Sequence, residues 1–139
     1  EEATHCDGPA LLIPNHLSWI DWLFVGLCVE PDWKFAASEL PARASKLHEW
    51  VLSNERIILI GADPAASLKK MAAHLEAGGK LILFAEGRMS RTGSLQRLFD
   101  GTGFLIQKTF RSGKLWISHH LATLVFLTHI HKNDLDEIV

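Results

Sequence analysis

Short apolar runs alternate with amphipathic stretches along most of this chain. Residues 10–14 (Ala-Leu-Leu-Ile-Pro) are the first run, closed by Pro14, and read as a buried strand. Trp19 to Val29 follows as a helix stopped by Glu30-Pro31. Trp19, Trp22, Leu23, Phe24, Val25, Leu27 and Val29 make it apolar nearly all round, so it is either buried in protein or laid against something greasy. Trp33 to Ala37 predicts a second strand. Leu40 to Leu52 reads as a helix, with Pro41 tolerated in its first turn and Leu40, Ala44, Leu47 and Val51 on one face. Arg56 to Ile60 is a third strand, rich in β-branched residues and stopped by Gly61.

The clearest unit comes next. Asp63 can cap a helix, and Pro64 suits its first position. Leu68, Met71, Ala72 and Leu75 give an apolar stripe, and Gly78-Gly79 ends it. Lys80 to Ala85 then reads as another buried strand. Strand, helix and strand within about 30 residues predict a βαβ unit whose two strands lie parallel and side by side. A further helix is expected from Ser94 to Phe99, loosened by Gly101 and Gly103 before Phe104-Leu105-Ile106. Beyond Lys108 the pattern weakens. Arg111-Ser112-Gly113 reads as a turn, Leu121 to Ile130 reads equally as strand or helix, and the polar end from Lys132 reads as frayed.

The alternation predicts an α/β fold: a three-layer domain with a mainly parallel central sheet flanked by helices. At 139 residues it is a single domain with room for a core. The formal charge of −2 gives no basic surface for nucleic acid. Cys6 and Cys28 have neither metal-ligand spacing nor a disulfide framework around them. No apolar run approaches the length of a transmembrane helix, about 18 residues. The chain opens on Glu1-Glu2 without an initiator methionine and reads as a piece cut from a longer polypeptide, so a truncated domain is expected.

Two stretches carry candidate chemistry. The first is Asn15-His16-Leu17-Ser18-Trp19-Ile20-Asp21, where the first strand hands over to the first helix. Positions five apart on one continuous helix diverge by roughly 140° and share no face. With His16 in the loop and Asp21 in the first helical turn, the side chains can meet. The carboxylate would then orient the imidazole as a general base. The bland alternative is that Asn15 or Ser18 caps the helix and His16 is merely exposed. The second stretch, Glu86-Gly87-Arg88-Met89-Ser90-Arg91-Thr92-Gly93-Ser94, leaves the carboxyl end of a predicted parallel strand, where sites form in such sheets. Its arginines can fork onto phosphate oxygens, its glycines let backbone N–H groups approach an anion, and Glu86 stands near enough to position Arg88. Alone it reads equally as a polar turn with solvated arginines. It is not an ordinary P-loop, because no GxxxxGK is present.

Together the two stretches resemble the glycerophospholipid acyltransferase family, of the lysophosphatidic-acid-acyltransferase type. Residues 15–21 fit its NHxxxxD motif, and Phe84-Ala85-Glu86-Gly87-Arg88-Met89-Ser90 is similar to its FPEGTRS block. Glu86 to Phe104 resembles more closely one bacterial branch, the acyltransferase domain of the 2-acylglycerophosphoethanolamine acyltransferase/acyl-ACP synthetase proteins. The resemblance covers residues 9–108. It divides the single domain, 1–139, into a family-like core (1–108) and a divergent tail (109–139). Ala85 stands where the family has proline, and Pro64 where its middle motif ends in arginine.

The resemblance implies a glycerolphosphate-acyltransferase-like fold and an enzyme of phospholipid biosynthesis. Its acyl donor would be acyl-CoA or acyl-ACP, and its acceptor a lysophospholipid or glycerol phosphate. It implies His16 and Asp21 as the catalytic pair, with Asn15, Ser18, Glu86, Gly87, Arg88 and Ser90 binding substrate. No cofactor and no metal are expected. The location implied is the cytoplasmic face of a membrane, either peripheral or within a longer membrane-bound protein. Two competing readings stand. One is a non-catalytic lipid- or thioester-binding fragment of a larger enzyme. The other is a metal-dependent hydrolase using His119, His120, His129 and His131.

Overall fold

The computed structural model of the chain describes residues 7–18, 20–38, 50, 52–90, 97–110, 114–121 and 124–129; residues 108–110 and the last two stretches are described by backbone alone. Among the described residues six strands form one sheet: β1 (Ala10–Pro14), β2 (Trp33–Ser38), β3 (Ile57–Ile60), β4 (Lys80–Leu83), β5 (Lys114–Leu121) and β6 (Leu124–His129). Their order is β3-β2-β4-β1-β5-β6. The first five run parallel, and β6 turns back antiparallel on β5. The described helices are α1 (Asp21–Cys28), α2 (Pro64–Glu76) and α3 (Gly101–Phe110).

Strand alternation sorts the core into two layers. Leu11 and Ile13 of β1, Ala36 of β2, and Leu81 and Leu83 of β4 pack with Met71, Ala72 and Leu75 of α2 and Leu105 of α3. Ala10 and Leu12 of β1, Trp33 and Phe35 of β2, and Ile82 of β4 face the other way and pack with Val25 of α1. The three layers expected from sequence are therefore present, with α2 and α3 on one face and α1 on the other. The punctuation around α2 works as read. Asp63 Oδ1 accepts the N–H groups of Ala65 and Ala66 at 2.9 and 3.1 Å. At the far end the N–H groups of Gly78 and Gly79 donate to the carbonyls of Leu75 and His74.

Four expectations are corrected or narrowed. β3 and β4 are parallel but not neighbours, because β2 lies between them and pairs with both. Hydrophobic runs report burial on both faces of a strand and say nothing of which strand sits beside it. Of the helix expected at 94–99, residues 94–96 lie outside the described residues and Arg97 to Phe99 are not helical; the described helix that follows starts at Gly101. α1 is shorter than Trp19–Val29, and it is neither wholly buried nor wholly free: Asp21 and Val25 are buried, whereas Leu23, Phe24 and Leu27 are exposed. Within the stretch 121–130, ambiguous in sequence, the described residues are strand: Leu121 ends β5 and Leu124–His129 form β6. The helix expected at 40–52 falls almost entirely outside the described residues, as do Trp19, the turn at 111–113 and the polar end from Lys132.

The amino ends of the strands are held by charge. Lys80 opens β4 and is only 8% exposed. Its Nζ lies 2.9 Å from Glu30 Oε2 and 2.8 Å from Asp32 Oδ2, two carboxylates that follow α1. Arg56, just before β3, donates to the carbonyls of Trp33 and Glu30 at 3.1 and 3.2 Å. Lys80→Ala removes the buried cation and leaves two acids facing each other. The expected loss is about 1–3 kcal/mol of stability, below a fully buried pair because both acids are partly solvated. Urea unfolding checks it, and Lys80→Met, which keeps the stem packing, should show whether the charge or the stem matters more.

Candidate active site

The opposite end of the sheet gathers the candidate residues. β1 and β4 are parallel neighbours in the register Leu11↔Leu81 and Leu12↔Ile82, so their carboxyl ends finish at one level. The chain leaving β1 carries Asn15, His16 and Ser18 into α1, and the chain leaving β4 carries Phe84 to Ser90. The Ser90 N–H donates to the His16 carbonyl at 2.6 Å and ties the two loops together.

His16 and Asp21 do meet. His16 Nδ1 lies 3.1 Å from Asp21 Oδ2. The same Oδ2 accepts the N–H groups of Leu17 and Ser18 at 2.6 and 2.7 Å. Asp21 is 6% exposed, and α1 starts with it in place, so one buried oxygen both shapes the loop and receives the imidazole. A carboxylate only accepts, so in the neutral imidazole Nδ1 carries the proton and Nε2 the lone pair. The bland alternative fails for the helix cap, since no side chain caps α1. Ser18 Oγ instead accepts the Ile20 N–H in a long contact of 3.4 Å, and Asn15 is buried beside the loop.

The β4 loop differs in detail from its sequence reading. Gly87 has φ +66°, the left-handed region that a side chain disfavours, and its N–H donates to the Phe84 carbonyl at 3.1 Å. Gly87 therefore shapes the turn, and its own N–H is already engaged. Arg88 is exposed and forms no pair with Glu86. Glu86 is 7% exposed, with neither carboxylate oxygen hydrogen-bonded. Thr102 in the first turn of α3 is likewise buried with its hydroxyl unpartnered. The two segments are linked, because the Phe99 N–H donates to the Ala85 carbonyl at 2.7 Å. An unpaired buried carboxylate is costly, and a ligand hydroxyl or cation would relieve that cost. Ser90 is buried and engaged through its N–H. Pro64, at the position of the family's middle-motif arginine, is the first residue of α2 and offers no cation there.

One contact was not predicted. The Phe84 ring lies against the His16 imidazole, with centroids 4.6 Å apart and planes 34° apart. Nothing in the spacing of residues 16 and 84 announces it; only the pairing of β1 with β4 does. As for metal, no group of three or more His, Cys, Asp or Glu comes together among the described residues, and His131 lies outside them.

The His16–Asp21 pair, an exposed guanidinium and a buried carboxylate on two tied loops make a site suited to deprotonating a hydroxyl beside an anionic group. The sequence model of the acyltransferase family matches residues 1–126, past the residue 108 reached by the motif resemblance and into β6. The structure is similar to the crystal structure of the 1-acyl-sn-glycerophosphate (LPA) acyltransferase, PlsC, from Thermotoga maritima. The TM-score is 0.64 at 16% identity, and the match covers 99% of this chain and 64% of that one.

Proposed function

The chain belongs to the acyltransferase family, and from that premise we propose that it moves a fatty acyl group from a thioester to a glycerophospholipid or lysophospholipid hydroxyl. His16 Nε2 takes the acceptor hydroxyl's proton as the oxygen attacks the thioester carbonyl. A tetrahedral intermediate forms. The C–S bond then breaks, and the imidazolium returns its proton to the departing thiolate. Asp21 orients the ring and stabilises the imidazolium. A positioned base of this kind contributes about 10²–10⁴-fold. The observation that carries the proposal is the 3.1 Å His16–Asp21 contact on a loop tied to the one bearing Glu86 and Arg88.

Arg88 holds the acceptor's phosphate, with Glu86 receiving an acceptor hydroxyl and Asn15, Ser18 and Ser90 holding the two loops in shape. The donor is acyl-CoA or acyl-ACP. The Thermotoga protein is named for 1-acyl-sn-glycerophosphate, and the same acceptor class is proposed here. No helix among the described residues is long and apolar enough to cross a membrane. The exposed Leu23, Phe24 and Leu27 of α1 begin two residues beyond Asp21. We place that face against the cytoplasmic surface of a bilayer, where an amphiphilic acceptor reaches His16 without leaving the lipid.

The test is thiol release from acyl-CoA or acyl-ACP by the purified chain, with and without lysophospholipid in vesicles, together with chromatography for the new diacyl lipid. Acceptor-dependent release with product supports the proposal. Release without acceptor points to a hydrolase, and binding without release to a non-catalytic module. Arg88→Lys keeps the charge and loses the fork. It should raise the acceptor KM roughly tenfold with kcat little changed. An unchanged KM in an active variant removes Arg88 from the phosphate site.

A further inference from the structure

We infer that Phe84 is a positioning residue for the His16 base, acting through its ring. The inference rests on the acyltransferase reading above. The backbone and one nitrogen of His16 are already held, by Ser90 N–H at 2.6 Å and by Asp21 Oδ2 at 3.1 Å. Those two contacts hold His16 at its backbone and at Nδ1, and neither touches the face of the ring. Phe84 supplies that contact. Its ring meets the imidazole at 4.6 Å between centroids, within the range of paired aromatic rings.

Phe84 is itself fixed from behind. It follows β4 directly and packs against the core layer of Leu12, Val25, Phe35 and Ile82. The β1–β4 register places it beside the end of β1, two residues before the base. Phe84 therefore transfers the rigidity of the sheet to a loop side chain. Its quadrupole also favours the imidazolium that forms as the acceptor is deprotonated. Asp21 sets which nitrogen carries the proton, and Phe84 sets where the other nitrogen points.

Phe84→Leu keeps an apolar side chain of similar reach and removes the flat surface. Its kcat should fall about 10- to 100-fold, because small misplacements of a base are costly. The acceptor KM should stay within about twofold, because the phosphate contacts are elsewhere. Phe84→Tyr keeps the ring and should restore most of the turnover. In NMR spectra of the parent, the His16 ring protons should carry an aromatic ring-current shift that persists in Phe84→Tyr and vanishes in Phe84→Leu.

Parental kcat in Phe84→Leu, a rise in KM alone, or no rescue by Phe84→Tyr overturns the inference. Absence of the ring-current shift does so independently of activity. A parent that transfers no acyl group, yet shows the shift, overturns the acyltransferase reading and with it a catalytic use for the contact.

Discussion

His16→Ala should abolish acceptor-dependent thiol release while leaving the domain folded. In the proposed mechanism the imidazole is the base, so its loss removes at least the roughly 10²–10⁴-fold contribution of a positioned proton acceptor. The fold should survive because the ring is partly solvated. Its removal also leaves Asp21 Oδ2 satisfied by the Leu17 and Ser18 N–H groups. Thermal unfolding of the variant should track the parent. Turnover near the parental value in a folded His16→Ala chain would sink the mechanism.

Asp21 separates two jobs by two substitutions. All three of its contacts fall on Oδ2. An asparagine can put its carbonyl oxygen there and its amide nitrogen at the Oδ1 position. Asp21→Asn should thus keep the loop and the Nδ1–H tautomer while losing the charge that stabilises the imidazolium. We expect a kcat drop of about 10²-fold or more with little change in melting temperature. Asp21→Ala leaves two partly buried N–H groups without that acceptor. It should lose activity and also about 1–3 kcal/mol of stability. Adding His16→Ala to Asp21→Asn should make turnover no worse than His16→Ala alone, because residues acting as a unit are not additive. A double variant whose loss equals the product of the single losses would mean that the two side chains act separately.

Much of this arrangement is legible in the chain because local chemistry marks it. Asp63, Pro64 and Gly78 bracket α2 by satisfying or removing helix-end groups. The five-residue gap from His16 to Asp21 has meaning only at a strand-to-helix junction, and Pro14 marks one. α3 was misplaced because Gly101 and Gly103 look like helix breakers. In the first turn, however, the N–H groups have no intrahelical partner to lose. Gly101 also gives room to its neighbours, since a Cβ there would sit 2.8 Å from the exposed Phe99 ring and 3.1 Å from Leu68, and those side chains would have to shift. Such a contact leaves no trace in the pattern. Nor does the insertion of β2 between β3 and β4, or the Phe84–His16 stack that follows from pairing β1 with β4. The mismatch between buried Glu86 and exposed Arg88 was hidden for the same reason. Their side chains are two apart on a turn, and only the turn's shape sends one inward and the other out.

The place of β1 in the sheet has a consequence for the order in which the molecule can be made. Its two neighbours are β4 and β5. Within this chain, neither exists until synthesis has passed Lys80. β2 and β3 can already pair while β1, which leads into His16, still waits as an apolar segment with open edges. The loop carrying His16 and the loop carrying Glu86 and Arg88 therefore come together only once β4 stands between β1 and β2. A ribosome-bound or truncated product ending before that strand holds neither a weakened site nor half of one.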